Sequence, residues 1–137
     1  MDELQARIDA NAKPGEPRVT PDAVQGAIAS EHYFRAADGI IGVAFVAQAT
    51  GAPDPTPDAM PQPLELVTFC VLVLQNGFTV VGTSAVLSAA NFDAQVGRDV
   101  ARRDAVAKLW PLMGFRALDR LADEVSARNE EIARMHG

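Results

Sequence analysis

"LVLQNGFTVVGTSAVLSAANFD", residues 72–93, sets two runs of β-branched and apolar residues on either side of Asn76-Gly77 and then reaches an Asn-Phe-Asp step. Asn-Gly between such runs is the strongest short-range hairpin signal, because a type I′ turn asks for positive φ at both central positions. The stretch predicts strands over residues 64–75 and 78–86 and a helix starting at Asn91. A hairpin feeding straight into a helix N-terminus gathers turn residues, strand ends and free backbone N–H groups. That suits an anion, and it equally suits a plain β-β-α unit with a capped helix. The first strand, "LELVTFCVLVL", is apolar almost throughout, so both its faces are expected to be covered, one by a helix and the other by a partner subunit.

Downstream of Asn91 the apolar period becomes helical. Phe92, Val96, Val100, Ala107 and Trp110 share one arc, expected to lie on the hairpin, while Asn91, Gln95, Arg98 and Arg102 form a separate stripe of donors. Asp99 and Arg103 fall inside the apolar arc, so burial would force them to pair or to meet an interface. Asp104 and Lys108 read as an ordinary surface pair. Trp110-Pro111 is expected to kink or end the helix. Beyond Gly114 the period resumes, with Leu118, Leu121, Val125, Ile132 and Met135 near heptad seam positions and Arg128 interrupting them, a pattern suited to packing on a neighbour.

Upstream, Leu4 and Ile8 followed by Pro14-Gly15 indicate an arm or short helix within residues 1–20. Thr20 as N-cap before Pro21 predicts a helix over 21–31. Asp38-Gly39 reads as a turn leading into a strand at 40–48. Five of the nine prolines lie in the connector 50–63. The organisation expected is a single α+β core over 21–120, with a polar helical extension over 121–137. Its fold class is α+β, an antiparallel hairpin or sheet packed against a C-terminal helix, with an N-terminal helix and oligomeric assembly.

A chain of 137 residues that is 48% hydrophobic suffices for one core. Its single cysteine, Cys70, excludes an internal disulfide, reads as buried and inert, and favours a cytoplasmic setting. The longest apolar run, "CVLVL", is far short of a membrane span. A net charge of −6 argues against nucleic-acid polymers, yet residues 91–120 carry six bases against four acids. Such a segment serves a small anionic ligand, or is simply a solvated helix face.

Catalytic chemistry finds no foothold. His32, His136 and Cys70 have no metal-ligand spacing, Gly82-Thr83-Ser84 is not a phosphate loop, and no nucleophile elbow is present. His32 reads either as a base contact or proton carrier, or as a structural histidine. Neither a metal nor a cofactor is expected. Binding is better provided for: Arg98, Arg102, Arg103 and Lys108 supply charge, Asn91 an amide, and Phe78, Phe92, Tyr33 and Phe34 rings that also suit a core.

Asn76 to Thr79, Asn91 to Asp93 with Gly97, Ala101 and Ala105, Trp110 to Phe115, and the earlier "SEHYFRAADG" together resemble the small bacteriophage protein family named after gene products of phages N4 and Sf6, over roughly residues 24–120. The connector, the Ala85-Val86 step where a cysteine would follow Ser84, and the long C-terminal helix depart from that pattern. The chain also resembles the first class of Thoeris anti-defence proteins. These sequester cyclic ADP-ribose isomers and, in some members, cyclic oligonucleotides without degrading them, as dimers or hexamers. The resemblance implies a non-enzymatic homo-oligomer in the host cytosol. It also implies ligand contacts at Asn91 and Lys108, with Arg102, Arg103 and Phe78 as further contacts. Two other readings stay open: inhibition of a host protein through the helical surface, and a nucleotide-processing enzyme.

Overall fold

The computed structural model describes residues 2–11 and 17–136 as an α+β arrangement, a three-stranded antiparallel sheet crossed by one long C-terminal helix. Helix α1 (Glu3–Asn11) comes first, and Pro14-Gly15, expected to end it, lies outside the described residues. Then follow α2 (Pro21–Gly26), β1 (Ile28–Arg35), α3 (Ala36–Thr50), β2 (Val67–Leu74), β3 (Thr79–Ala85) and α4 (Ala94–His136). The strand order is β1-β2-β3, which makes β2 central.

The expected hairpin forms, with Val73 opposite Thr79 and Val67 opposite Ala85. Its turn is a different one. Only Gly77 has positive φ, at 87°, and the loop is the triplet Gln75-Asn76-Gly77, closed by the Leu74 N–H donating to the Phe78 carbonyl at 2.8 Å. Asn76 needs no left-handed backbone because its Oδ1 fastens the turn by accepting from the Phe78 N–H at 3.0 Å.

Two upstream expectations are corrected. The helix expected over 21–31 is capped by Thr20, whose Oγ1 accepts from the Ala23 N–H at 3.1 Å, but it stops at Gly26. Residues 28–35 instead pair with β2, from Ile28 opposite Leu74 to Arg35 opposite Thr68, and a sheet ladder outweighs the helix preference of a short segment. The strand expected at 40–48 is the interior of α3. Asp38-Gly39 is not a turn between strands but the first turn of that helix, where the Asp38 carboxylate accepts from the Arg35 N–H at 2.9 Å. Gly51, at φ 73°, closes the other end in the left-handed region.

Alternate residues of β2 divide the sheet into two unequal faces. Thr68, Cys70, Leu72 and Leu74 are buried beneath α4, and they join Val24, Val80, Ala101, Ala105 and Leu109 to make the core. On the other face Phe69 stacks obliquely with Phe34 at 5.4 Å between centroids, beside half-buried Val71 and exposed Val81. Cover by a helix on one side is therefore as expected. The opposite face keeps apolar side chains open among the described residues.

The face of α4 that meets the sheet is centred on small residues and takes in only part of the expected arc, Trp110 among it. Val96 is 56% exposed, whereas Gly97, Ala101, Ala105 and Leu109 are buried. The reason is close approach of backbones: a Cβ on Gly82 would lie 2.0 Å from the Ala101 carbonyl oxygen and 2.4 Å from the Ala105 nitrogen. A small stripe at i, i+4, i+8 lets the helix lie directly on β3. Of the larger arc, Trp110 packs on the core and Phe92 and Val100 are half-buried, while Asp99 is exposed and, rather than pairing with Arg103, accepts from Gln95 Nε2 at 3.0 Å.

Nor does Pro111 end α4, which continues to His136. Proline removes the donor for the Ala107 carbonyl, but both residues are exposed, so the lost bond leaves no buried carbonyl without a partner. The helix also starts later than expected. Asn91 sits in a short 3-10 turn (Ala89–Asn91), and Asp93 is the cap, its Oδ1 accepting from the Gln95 and Val96 N–H groups at 2.9 and 3.0 Å.

Candidate functional site

The five residues singled out as ligand contacts occupy separate places. Asn91 is exposed on the turn before α4, and Arg103 is exposed on the helix itself. Phe78, 56% exposed, follows the hairpin turn and lines a groove of about 270 Å³ with Leu112, Met113, Phe115 and Arg116. From the start of α4 to Lys108 the helix rises on the order of 20 Å. Of the five, only Phe78 lines any of the four best-formed clefts.

Arg102 and Lys108 both have intramolecular work. The Arg102 Nε donates to Glu31 Oε1 at 2.5 Å and its second guanidinium nitrogen to Gln25 Oε1 at 2.5 Å, tying α4 to β1 and α2. That guanidinium hydrogen bond holds the Glu31 carboxyl below its ordinary value. Glu31 also accepts from the Tyr33 hydroxyl at 2.8 Å, and Tyr33, pushed up first by burial and then by this bond, stays protonated. Burial likewise raises the Cys70 thiol, which fits the inert role expected of it.

On the other side of α4, Lys108 donates to the Val81 carbonyl at 2.9 Å, and Asp104 accepts from the Thr83 N–H at 2.9 Å. The two side chains also pair at 3.2 Å. This is more than a surface ion pair: β3 is an edge strand, and the pair occupies backbone groups that would otherwise template another strand.

One cleft does gather charge and rings. About 140 Å³ in volume, it lies where β1 ends and α4 begins, lined by Tyr33, Phe34, Arg35, Asp38, Thr68, Phe92, Ala94 and Arg98. Arg35 pairs with Asp38 at 3.2 Å, which holds that carboxyl low through the Arg35 N–H and guanidinium. Arg98 has no ion pair among the described residues, so the cleft keeps one uncompensated positive charge. Gly97 allows α4 to come this close, since a Cβ there would sit 2.9 Å from Thr68 Oγ1. Asn91 directly precedes Phe92 at its edge.

Arg98, Tyr33, Phe34 and Phe92 were therefore legible as donors and rings, and the fold brings them together. Arg35 and Asp38 were missed. Their signal was the spacing of three between a strand-ending arginine and an aspartate, visible only if residues 36–50 are read as a helix. Chemically the cleft offers guanidinium donors for a phosphate or carboxylate and aromatic faces for a planar ring. Among the described residues there is no group of three or more His, Cys, Asp or Glu side chains placed to hold a metal, and no helix long and apolar enough to cross a membrane.

No curated protein and no solved structure matches the chain. A family model does, over residues 19–121, which takes in everything from the cap of α2 through the sheet to the middle of α4. With three-quarters of its length inside that match, the chain belongs to the phage protein (N4 Gp49/phage Sf6 gene 66) family.

Proposed function

We propose that this phage-family protein binds and sequesters a cyclic nucleotide immune signal, a cyclic ADP-ribose isomer or a cyclic oligonucleotide, and leaves it intact. The observation that carries the reading is the cleft at the start of α4, where unpaired Arg98 stands with Arg35 among Tyr33, Phe34 and Phe92. A phosphate takes the guanidinium donors and a base takes a ring. At about 140 Å³ the cleft is smaller than the roughly 300–1,000 Å³ of complete small-molecule sites, so it receives one part of such a ligand. A second copy of the chain supplies the remaining wall. The open apolar sheet face and the exposed side chains of α3, Phe45 at 73% among them, favour that association. In this arrangement Asn91 orients the ligand from the rim.

Titration of the protein with cyclic ADP-ribose isomers and cyclic di- and trinucleotides at two salt concentrations tests the reading. Arg98→Ala should weaken binding at least about tenfold and flatten its salt dependence, because a charged contact is screened by salt. Asp93 caps α4, so Asn91→Ala should lower affinity without lowering the melting temperature. Unchanged affinity in both variants for every ligand bound by the wild type would remove the cleft from the account. Absence of binding by the wild type would remove the function.

A further inference from the structure

Arg116 lines two clefts at once, about 27 Å along α4 from Arg98. One, of about 150 Å³, lies where the segment entering α2 meets α4, and it gathers Arg18, Arg116 and Arg120 beside Ala23 and Ala117. The other is the apolar groove of about 270 Å³ already described, to which Leu112 and Phe115 belong. Three guanidinium groups around one small cleft stand out in a chain of net charge −6. Arg116 and Arg120 are four apart on one helix, a spacing at which like charges repel. Arg18 pairs with Asp9 of α1, but neither Arg116 nor Arg120 has an ion pair among the described residues, although Asp119 lines the adjoining groove. Arg116 is moreover half-buried, where an uncompensated charge costs more than on an open helix face. Such a cluster calls for an anion, and the several acceptor oxygens of a phosphate suit forked donors.

We infer that Arg18, Arg116 and Arg120 hold the phosphate of a small ester whose apolar body lies on Leu112 and Phe115. Neither cleft alone reaches the roughly 300–1,000 Å³ of complete small-molecule sites, and the two joined at Arg116 do. The groove sets the class of the ester. Its rim carries Phe115 at 72% and Leu112 at 40% exposure, so an aryl or alkyl group fits it better than a sugar. A free ester rather than a membrane lipid is the expected source, since the net negative charge of the chain opposes an anionic bilayer. The Asp9 carboxylate is then an internal competitor for Arg18. None of these residues lines the Arg98 cleft, so the inference does not depend on the cyclic-nucleotide reading.

Calorimetric titration of the full-length protein with 1-naphthyl phosphate, 1-naphthol and inorganic phosphate tests it. Naphthyl phosphate should bind more tightly than either fragment. Arg116→Ala should weaken it at least about tenfold, and Arg120→Ala, at an exposed position, serves the same purpose if the first variant melts early. Phe115→Ala should weaken naphthyl phosphate about threefold or more and leave inorganic phosphate unchanged. Asp9→Asn should tighten both phosphates. Arg128→Ala, an equal loss of charge outside both clefts, should alter neither. The inference is overturned by naphthyl phosphate that does not bind, by affinity unchanged in both cleft-arginine variants, by an equal loss in Arg128→Ala, or by a protein that sediments with phosphatidic acid vesicles and ignores the free ester.

Discussion

The two halves of α4 share one backbone and follow opposite rules. From Ala94 to Leu109 the helix presents Gly97, Ala101, Ala105 and Leu109 to the sheet, and three of these four buried residues are glycine or alanine. From Leu118 to Met135 it presents large aliphatic side chains, and none is buried. Size of side chain therefore does not tell which half is core. What tells is the opposing surface: glycine at 82 invites backbone-to-backbone contact, while the second half has no opposing surface within the described chain.

The sharpest way to break this difference is at Gly82. Gly82→Val sets side-chain atoms where the Ala101 carbonyl and Ala105 backbone already stand, and helix and strand cannot separate without exposing the core. Overpacking of this kind costs upwards of about 3 kcal/mol, and the expected outcome is a chain without a cooperative melt by circular dichroism. Leu109→Ala comes next. Fully buried at the end of the small stripe, it should cost about 2–5 kcal/mol in urea denaturation. Pro111 stands between the halves. Pro111→Ala restores a donor to Ala107, and against a propensity difference of about 3 kcal/mol the gain is trimmed by the freer unfolded chain. A stabilisation of roughly 1–2 kcal/mol should appear in the same denaturation curves. No gain would mean that the helix is already interrupted there.

The smallest expected effect is that of pH. Glu31, beside Arg102, and Asp104, held by the Thr83 N–H and Lys108, both have carboxyls lowered from ordinary values of 4.5 and 3.8. A carboxyl lowered by folding stabilises fully above its unfolded value and loses that contribution as pH falls through its folded value. Melting temperature should thus be level near neutrality and decline in acid below those values. Asp104→Asn should make the decline shallower, and an unchanged slope would mean that the clamp on β3 adds nothing to stability.

Much of the sheet was legible because β2 and β3 are local in sequence and flank a turn with its own chemistry. The Asn76 and Gly77 signal placed the hairpin correctly even though the turn type differs. β1 was not legible, since "IASEHYFR" becomes a strand only by pairing with β2 some forty residues later. α3 was misread because its apolar side chains lack a polar face, and Phe45, Ile41 and Val46 remain exposed. For the site, guanidinium and ring residues could be nominated from composition. Which of them meet depended on the helix face, and that face was hidden by counting large side chains instead of small ones. Arg102 and Lys108 illustrate the cost: both looked available, and both are engaged with Glu31 and the Val81 carbonyl.

The central claim, sequestration without chemistry, is tested most directly by what the protein gives back. Purified protein is incubated with cyclic ADP-ribose isomers and cyclic oligonucleotides, freed of unbound ligand, denatured by heat and analysed by mass spectrometry of the released fraction. The account predicts an intact cyclic nucleotide, recovered in proportion to protein and diminished in Arg98→Ala. A linear or otherwise altered product, or an empty released fraction for every signal offered, would contradict it.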